Sequence, residues 1–565
     1  MATTILETPY IIPSLDLGMQ SRTSKFLAQK NEMKFLKNME TVSKLGALKK
    51  ILGYTKKGNT IASGVTILGC GSLNTSGGTN KLLAFAGTDA YVWNSGTGAW
   101  DAQSRTFTAS QKFEFENFLD MLFEINGITD APQSYTGSAW STTTNVTDMP
   151  KAKYPKVLKD RFYLAYINIP IGGTFPSRVW YCDLPKNNAI VWGFESGTDG
   201  ATTAASAVVT SAAALFKTRG IKVGDPFFLA EGSDLGQYEV LSIDSETQIT
   251  LTVVLVNTAS SLDFWVGGNW FDVKRDDSDT MMGLSENSDR LICYKRFSVW
   301  RFQKTSTTAT DSLIQIKATP GTTSHRSIVP IKEYTYHLAD SGIWRIGPEG
   351  GELISDAMQE VIDGVTAANK LIAVGWNVDD QVLKMFVGDV SNSDTGLTIT
   401  NCVVCYDVDS GAWWTEEIAD VINCKTDWVE DSAKKTFIFS NAGEAFEIEL
   451  GNLFDDAEIP LEAETHYHFP ATPEYAVPFT RFKIYGEQLR TITVLLKLAF
   501  YNNGIIDADY YPLDIHYQTE NEIEVAPKGD IQRASGFSLK FIDMSGNVQP
   551  VIERVVAFHG EPELR

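Results

Sequence analysis

Hydrophobic and polar residues alternate in short runs along most of the chain, and glycine, asparagine or aspartate interrupts each run. A period of two residues is typical of β-strands with one buried face, and the interrupting residues favour turns. In several places an aromatic strand leads into a glycine turn and then a tryptophan, which indicates a β-hairpin. Three copies of this pattern cover residues 91–100, 135–140 and 406–413, and a looser copy covers residues 341–344.

The spacing of these hairpins predicts the architecture. The first two copies lie about 45 residues apart, which is the length of a four-stranded propeller blade. The sequence therefore predicts an all-β fold, a six- or seven-bladed β-propeller with an inserted small β-domain and a C-terminal β-sandwich. The last of seven modules, near residues 424–451, lacks an obvious fourth strand. We expect it to borrow one from elsewhere in the chain and so close the ring.

Changes in strand length and composition divide the chain into regions. Residues 1–60 are predicted to be an N-terminal arm or entry segment, and residues 61–196 and 271–455 form the predicted propeller. Residues 197–270 interrupt the propeller with short strands and turns, which predicts an inserted β-barrel or sandwich. Beyond the propeller the strands are longer and more widely spaced, which favours a C-terminal β-sandwich over residues 456–565.

The charge is strongly acidic and unevenly distributed. The net charge of −22 argues against wrapping nucleic acid, which requires a basic surface. Residues 1–60 are the exception, with ten Lys and Arg against four Asp and Glu. We expect this segment to dock onto an acidic partner, and solvated surface charge is the alternative. The candidate docking residues are Lys49, Lys50, Lys56 and Lys57.

Two short motifs invite a chemical interpretation. Cys402 and Cys405 have the spacing of a metal knuckle, but they lie in a β-branched run without a second such pair. Residues three apart in a strand face opposite sides, so we expect no metal there. Asp407 and Asp409 precede the glycine turn of one hairpin. Hydrogen bonds that stabilise the turn are their favoured use, and calcium binding is the alternative.

His466 and His468 have the spacing that places two imidazoles on one strand face, with Glu462 and Glu464 nearby. A zinc site is conceivable, but a solvated face or a subunit contact is favoured. The sequence predicts no catalytic, cofactor-binding or metal-binding residues, because no catalytic or ligand-binding motif occurs in the structural context that its chemistry requires. The six cysteines sit singly in apolar runs, apart from the spaced pair, which is typical of free thiols in a reducing compartment. The sequence contains no apolar run of about 20 residues, so it predicts no membrane span.

The order of features resembles the propeller proteins of phage tails and head-to-tail junctions. This family includes the nozzle or tail-tube hub proteins of short-tailed phages and the related packaged-DNA stabilisation proteins. The similarity begins at Pro-Ser-Leu-Asp-Leu-Gly. The chain departs from the family pattern at Ile51-Leu52, where related chains often have Arg-Pro. The similar segments are residues 13–18, 45–54, 154–163, 291–300 and 341–344.

The resemblance implies a structural virion protein without enzymatic activity or cofactor. Such a protein is made in the host cytoplasm and assembles, as a hexamer, into a ring-shaped tail conduit below the portal and adaptor. It would retain and eject the genome, contact tail fibres or spikes, and let DNA pass through its lumen without specific binding. The acidic charge suits that role, since like charge keeps DNA from adhering. The alternatives are a receptor- or glycan-binding tail protein, which would use the inserted or C-terminal β-domain, and a propeller glycosidase.

Overall fold

A computed structural model shows the arrangement of most of the chain. The described residues are 7–21, 29–42, 46–108, 111–147, 149–169, 173–186, 188–304, 311–430, 432–471, 475–499, 510–511, 513–527, 533–543, 548–561 and 563–564. Within these ranges the fold is all-β, as predicted, and its two α-helices are the short segments α1 (Gln359–Asp363) and α2 (Ala367–Ile372). No helix of the described part is long and apolar enough to cross a membrane.

The strands are numbered in chain order. Those before the first blade are β1 (Thr8–Ile12), β2 (Met33–Lys37), β3 (Met39–Val42), β4 (Ala47–Lys50) and β5 (Tyr54–Lys56). The first three blades and the insertion contain β6 (Ile67–Asn74), β7 (Asn80–Ala86), β8 (Asp89–Asn94), β9 (Ala99–Thr106), β10 (Glu114–Phe118), β11 (Met121–Ile125), β12 (Gln133–Tyr135), β13 (Trp140–Ser141), β14 (Tyr154–Leu158), β15 (Arg161–Ile169), β16 (Gly173–Tyr181), β17 (Phe194–Thr202), β18 (Ser206–Thr210), β19 (Pro226–Leu229), β20 (Gly236–Ile243), β21 (Gln248–Leu255), β22 (Ala259–Gly267) and β23 (Asn269–Asp272).

The remaining blades are followed by the C-terminal strands. The blade strands are β24 (Met281–Asn287), β25 (Arg290–Lys295), β26 (Val299–Gln303), β27 (Ser312–Ile316), β28 (Val329–Ile331), β29 (Tyr334–Ala339), β30 (Gly342–Ile346), β31 (Gly351–Leu353), β32 (Val374–Val378), β33 (Val382–Asn392), β34 (Leu397–Asp407), β35 (Trp413–Glu417), β36 (Ile422–Glu430), β37 (Ala433–Ser440) and β38 (Ala445–Ile448). The later strands are β39 (Leu453–Phe454), β40 (Ala457–Glu458), β41 (Leu461–Thr465), β42 (Tyr475–Glu487), β43 (Thr493–Ala499), β44 (Tyr510–Tyr511), β45 (Leu513–Gln518), β46 (Glu522–Pro527), β47 (Arg533–Ala534), β48 (Gly536–Asp543), β49 (Val551–His559) and β50 (Glu563–Leu564).

Four-stranded antiparallel units form the propeller. Five are separate sheets, β6–β9, β10–β13, β14–β16 with β23, β24–β27 and β28–β31. Two more, β32–β35 and β36–β38 with β5, are parts of larger sheets. The first strands of these seven units contact one another in turn, and β36 contacts β6, so the ring is closed. The propeller prediction is confirmed, and by this topology the ring has seven blades.

The N-terminal segment closes the ring. Strand β5 pairs antiparallel with β38, so that Tyr54 lies opposite Ile448 and Lys56 opposite Phe446. The last blade thus takes its fourth strand from a distant part of the chain, as expected from its missing strand. Tyr54 stacks on Phe454, with ring centroids 4.7 Å apart, and covers this seam with apolar surface.

The tryptophans of the repeated hairpins pack within and between blades. Trp100 contacts Trp93 of its own hairpin and, at a centroid distance of 6.0 Å, Phe439 of the last blade. Trp413 is buried against Tyr406 at 4.4 Å. Trp140 packs on Tyr135 of its own hairpin with the rings tilted, and it meets Phe85 of the first blade edge to face. The tryptophans of the repeated hairpin pattern therefore occupy packing positions, as predicted.

The insertion is a closed six-stranded barrel with the order β17-β18-β21-β20-β19-β22. It leaves blade three after β16 and returns at β23, which is that blade's fourth strand. Phe216, Phe227 and Phe264 are fully buried in its own core. The predicted insertion at 197–270 falls in this place, although its last residues belong to the blade.

The barrel's separate core predicts that it is removable. Gly197 lies opposite Phe264 in the register, so residues 197–264 are replaceable by a two-residue Asn-Gly turn. We expect this variant to keep a cooperative thermal transition and the far-ultraviolet spectrum of a β-protein, because Trp265 and its contact with Phe175 remain. Aggregation of the shortened chain would contradict the separation of the two cores.

The C-terminal region is a β-sandwich, but it is not separate from the rest of the chain. One layer contains β42, β45, β46 and β49, and the other contains β41, β43, β44 and β48. Phe479 and Phe482 of the first layer pack on Phe537 of the second, with centroids 5.3 and 5.1 Å apart. Strand β2 joins the second layer to β35, so one nine-stranded sheet runs from the sixth blade into the sandwich.

The predicted N-terminal arm is therefore wrong as a description of residues 1–60. Its described part lies in sheets, since β1 and β4 both pair with β49, β3 pairs with β4, and β2 pairs with β41. Buried apolar side chains explain this, because Ile12, Leu15, Met33 and Leu36 have no exposed surface. The lysines concealed this alternation in the sequence, since a long aliphatic stem lets lysine occupy positions beside a core.

Candidate functional site at the propeller axis

Arg326 spans the propeller axis. It lies in the 3₁₀ turn His325–Ser327 before the fifth blade. Its guanidinium donates to the carboxylate of Glu114 at 2.9 Å, to the carbonyl of Asn423 at 2.6 Å, and to the carbonyls of Leu68 and Phe113 at 2.8 and 2.9 Å. These partners belong to the seventh, first and second blades and the segment leading into the second. One side chain therefore connects opposite sides of the ring.

A buried polar segment positions Arg326. Thr322 donates to the carbonyl of Leu338 at 3.1 Å, and Ser324 donates to the carbonyl of Ala373 at 2.8 Å. Burial acts to lower the pKa of Arg326, but the charge and hydrogen bond of Glu114, together with the electrostatic effects of Cys424 and Cys70, outweigh burial and raise the pKa. The guanidinium is therefore permanently charged and paired where it lies.

Two cavities flank this arginine. The first, of about 300 Å³, contains Glu116, Lys156 and Glu286. Lys156 Nζ lies 3.3 Å from Glu116 Oε1 and 3.9 Å from Glu286 Oε2. Burial raises the pKa of Glu116, although Lys156 and the backbone N–H of Val157 oppose this. Two carboxylates therefore surround one ammonium group in this cavity.

The second cavity has a volume of about 430 Å³ and is lined by Lys112, Lys153 and Tyr154. Glu114, His325 and Arg326 line both cavities, so these three residues form the wall between them. Burial lowers the pKa of His325, which leaves its imidazole neutral near pH 7. Its ring packs against Tyr154, with centroids 5.0 Å apart.

The structure does not bring the four predicted docking lysines into one exposed patch. Lys50 has no exposed side-chain surface, and its Nζ lies 3.7 Å from Asp543 of β48. Lys57 pairs with Glu430 at 2.8 Å and lies over the rings of Trp93 and Trp428. Lys56 pairs with Glu444, and Lys49 lies opposite Glu40 in the β3–β4 hairpin. Lys50 links the N-terminal segment to the sandwich, and Lys57 links it to the seam formed by β5 and β38. The predicted docking role is therefore corrected for Lys50 and Lys57. Docking through Lys49 and Lys56 stays a prediction.

A buried charged cluster lies next to that hairpin. Lys384 Nζ pairs with Glu416 at 2.9 Å and with Glu449, and all three side chains are largely buried. Burial raises the pKa of Glu40 to about 7, and the carboxylates of Glu449 and Glu416 add to this against the opposing charge of Lys384. Glu40 therefore titrates near neutral pH.

The raised pKa of Glu40 makes stability depend on pH. A carboxyl whose pKa rises on folding stabilises the protein at low pH, and this contribution is lost as the pH rises through about 7. We expect Glu40→Gln to raise the free energy of unfolding at pH 8 by about 1–2 kcal/mol and to leave it unchanged at pH 4.5. Urea unfolding at both pH values tests this. Glu520→Gln, at the exposed Glu520–Arg490 pair, is the control and should leave the profile unchanged. Equal effects of Glu40→Gln at both pH values would refute the argument.

The other sequence candidates have structural roles. Asp407 Oδ1 accepts the backbone N–H groups of Asp409 and Ser410 at 2.9 and 3.2 Å, which is the favoured turn-stabilising use. His466 shares a hydrogen bond with the carbonyl of Gln20, and burial lowers the pKa of His468 to about 3. The remaining candidates have these places: Cys402 and Cys405 are buried in β34, Glu464 pairs with Lys34 and Lys497, and Glu462 pairs with Lys540. Among the described residues no group of three or more potential ligands is arranged to hold a metal ion.

No family model and no curated protein matches the chain. Among solved structures, virginiamycin B lyase from Staphylococcus aureus is 9% identical with a TM-score of 0.33, over 69% of this chain and 96% of that one. The endosialidase of phage phi92 is 10% identical with a TM-score of 0.19, over 73% of this chain and 56% of that one. The chain is a β-propeller protein. That assignment rests on the sheet topology, because structural similarity at such low TM-scores does not support an assignment.

Proposed function

We propose that this chain is a structural subunit of a phage tail, a nozzle- or hub-like protein without enzymatic activity. One observation supports the proposal: Arg326 spans the propeller axis, and its guanidinium is engaged by Glu114 and by backbone carbonyls of other blades, so that it holds the blades together. The sixth blade also continues into the sandwich as one sheet. Such a molecule is built as a rigid block, which is what an assembled conduit requires.

The genome path follows from the closed axis. A propeller whose centre holds a buried arginine has no passage for DNA along its own axis. In the proposed assembly the lumen is therefore enclosed by a ring of subunits, in this proposal a hexamer. A net charge of −22 suits such a wall, because like charge keeps DNA from adhering. The proposed neighbours are the portal and adaptor ring and the tail fibres or spikes, in a virion assembled from protein made in the host cytoplasm.

The barrel supplies surface suited to contact between subunits. Val253, Val254 and Val256 are each more than half exposed at the end of β21. Asp234 accepts the backbone N–H of Val256, and the next residue, Leu235, is also exposed. Exposed apolar side chains concentrated in one region of a surface are typical of protein–protein interfaces.

Electron microscopy of the purified protein tests the proposal. We expect closed rings, and light scattering should give a mass that is a whole multiple of the subunit mass. The double variant Val254→Asp/Val256→Asp should shift the protein to monomers while its far-ultraviolet spectrum stays unchanged, because both side chains are exposed in the folded subunit. Ile314→Asp, at an exposed apolar position of the fourth blade, is the matched control and should leave the assembly unchanged. A protein that stays monomeric at every concentration reached would contradict the ring.

A further inference from the structure

We infer that the larger axial cavity is a binding site for a small organic anion, a sugar-sized molecule that carries a carboxylate or phosphate group. The first observation is the imbalance of charge in this cavity. Lys112, Lys153 and Arg326 line it, and Glu114 is its one acidic lining residue. Glu114 already accepts the guanidinium of Arg326 at 2.9 Å. The two lysines are therefore left with positive charge that the cavity does not neutralise.

The two lysines have no ion pair in the part of the chain that the structure describes. Lys153 Nζ lies instead 3.7 Å from the centroid of the Tyr166 ring. Lys112 is exposed to solvent as a whole residue, but the burial of its ammonium group and the neighbouring charge of Arg326 both lower its pKa. An oxyanion at this position would relieve the repulsion between Lys112 and Arg326, and it would accept charge-assisted hydrogen bonds from both lysines.

The backbone at Tyr166 supports a built site. The pairing of β15 with β16 shifts register between Ala165 and Ile167, so Tyr166 occupies a bulge. Its φ of 60° is in the left-handed region, which is unfavourable for a tyrosine. Bulges of this kind re-aim a side chain next to functional sites. Here the bulge places the aromatic ring where it holds the ammonium group of Lys153.

The size and the walls of the cavity indicate the rest of the ligand. About 430 Å³ is within the range of small-molecule sites. Tyr154 and His325 form an aromatic wall, and Met282 and Leu371 add apolar surface. Aromatic walls beside cations suit a ring such as a pyranose that carries one charged substituent. This site would function whether or not the chain assembles into a ring.

Calorimetric titration of the full chain at low and physiological ionic strength tests the inference. The probes are glucose 6-phosphate, glucuronate and glucose. We expect at least one of the two anionic sugars to bind and glucose not to bind, and the anionic sugar that binds identifies phosphate or carboxylate as the preferred group. Lys112→Met and Lys153→Met should each weaken binding at least about tenfold while the melting temperature is unchanged.

Lys159→Met is the matched control. It removes a lysine at the far end of β14, where Lys159 forms an exposed pair with Asp289. This variant should bind as tightly as the unaltered protein. The inference is overturned if neither anionic sugar binds at millimolar concentration, if glucose binds equally well, or if the Lys112→Met/Lys153→Met double variant binds unchanged.

Discussion

Replacing Arg326 by methionine is expected to lower the free energy of unfolding by about 3–5 kcal/mol. The substitution leaves the Glu114 carboxylate without its partner and removes the donors from the carbonyls of Leu68, Phe113 and Asn423. A charge that loses its partner in a largely buried site is strongly destabilising, and each unsatisfied carbonyl adds to the loss. Chemical denaturation followed by tryptophan fluorescence measures the effect.

Two further variants separate this explanation from a general sensitivity to losing arginine. Arg345→Met removes an arginine whose partner Glu352 is largely exposed, and it should cost less than about 1 kcal/mol. Adding Glu114→Gln to Arg326→Met should recover part of the lost stability, because a neutral amide is less costly to bury than a carboxylate. If Arg326→Met were no more destabilising than Arg345→Met, the axial arginine would not hold the ring together.

Trp413→Ala should lower the free energy of unfolding by about 3–5 kcal/mol, which is usual for a large buried aromatic side chain. Trp413 is 3% exposed and packs on Tyr406. Its backbone carbonyl accepts the N–H of Met19 at 2.7 Å, and Gly18 lies against its backbone with a φ of 76°, a conformation suited to glycine. The backbone contacts with the N-terminal segment remain in the variant, so the loss is expected from the packing of the ring in the sixth blade.

Trp344→Ala provides the comparison within the same hairpin family. Trp344 is half-buried, and its indole N–H donates to Ser341 at 2.9 Å. A smaller loss is expected there, because less apolar surface returns to water. Urea unfolding of both variants gives the two values. A Trp413→Ala protein with an unchanged transition would be inconsistent with the buried position of this residue.

Local sequence patterns were sufficient for the features that depend on nearby residues. The hairpin at Trp100 combines a two-residue period with a glycine turn, and both signals lie within ten residues. The barrel was predictable for the same reason, because its strands follow one another closely. The sequence was sufficient to show that the seventh blade lacks a fourth strand. It was not sufficient to identify β5 as that strand, because no local pattern specifies a partner almost 400 residues away.

The axial site shows what such patterns do not reveal. Arg326 stands in a short polar segment that resembles an ordinary surface turn, and its partners come from residues 68, 113, 114 and 423. The available sequence indication of a buried turn was the pair of small polar residues Thr322 and Ser324 beside it. This indication was not specific, because small polar residues suit a buried turn as well as an exposed one. Lys50 illustrates the reverse case, in which a residue typical of surfaces is buried opposite Asp543.

The pairing of β1 and β4 with β49 has a consequence for synthesis. Residues 8–12 and 48–49 find their partners at residues 551–559, so these pairings cannot form until translation has passed residue 559. Until then the nascent chain carries unpaired strand edges, and long-range pairing of this kind makes folding slow. A chain released before residue 551 would lack this partner, so prematurely terminated products would be left incompletely folded and open to proteolysis.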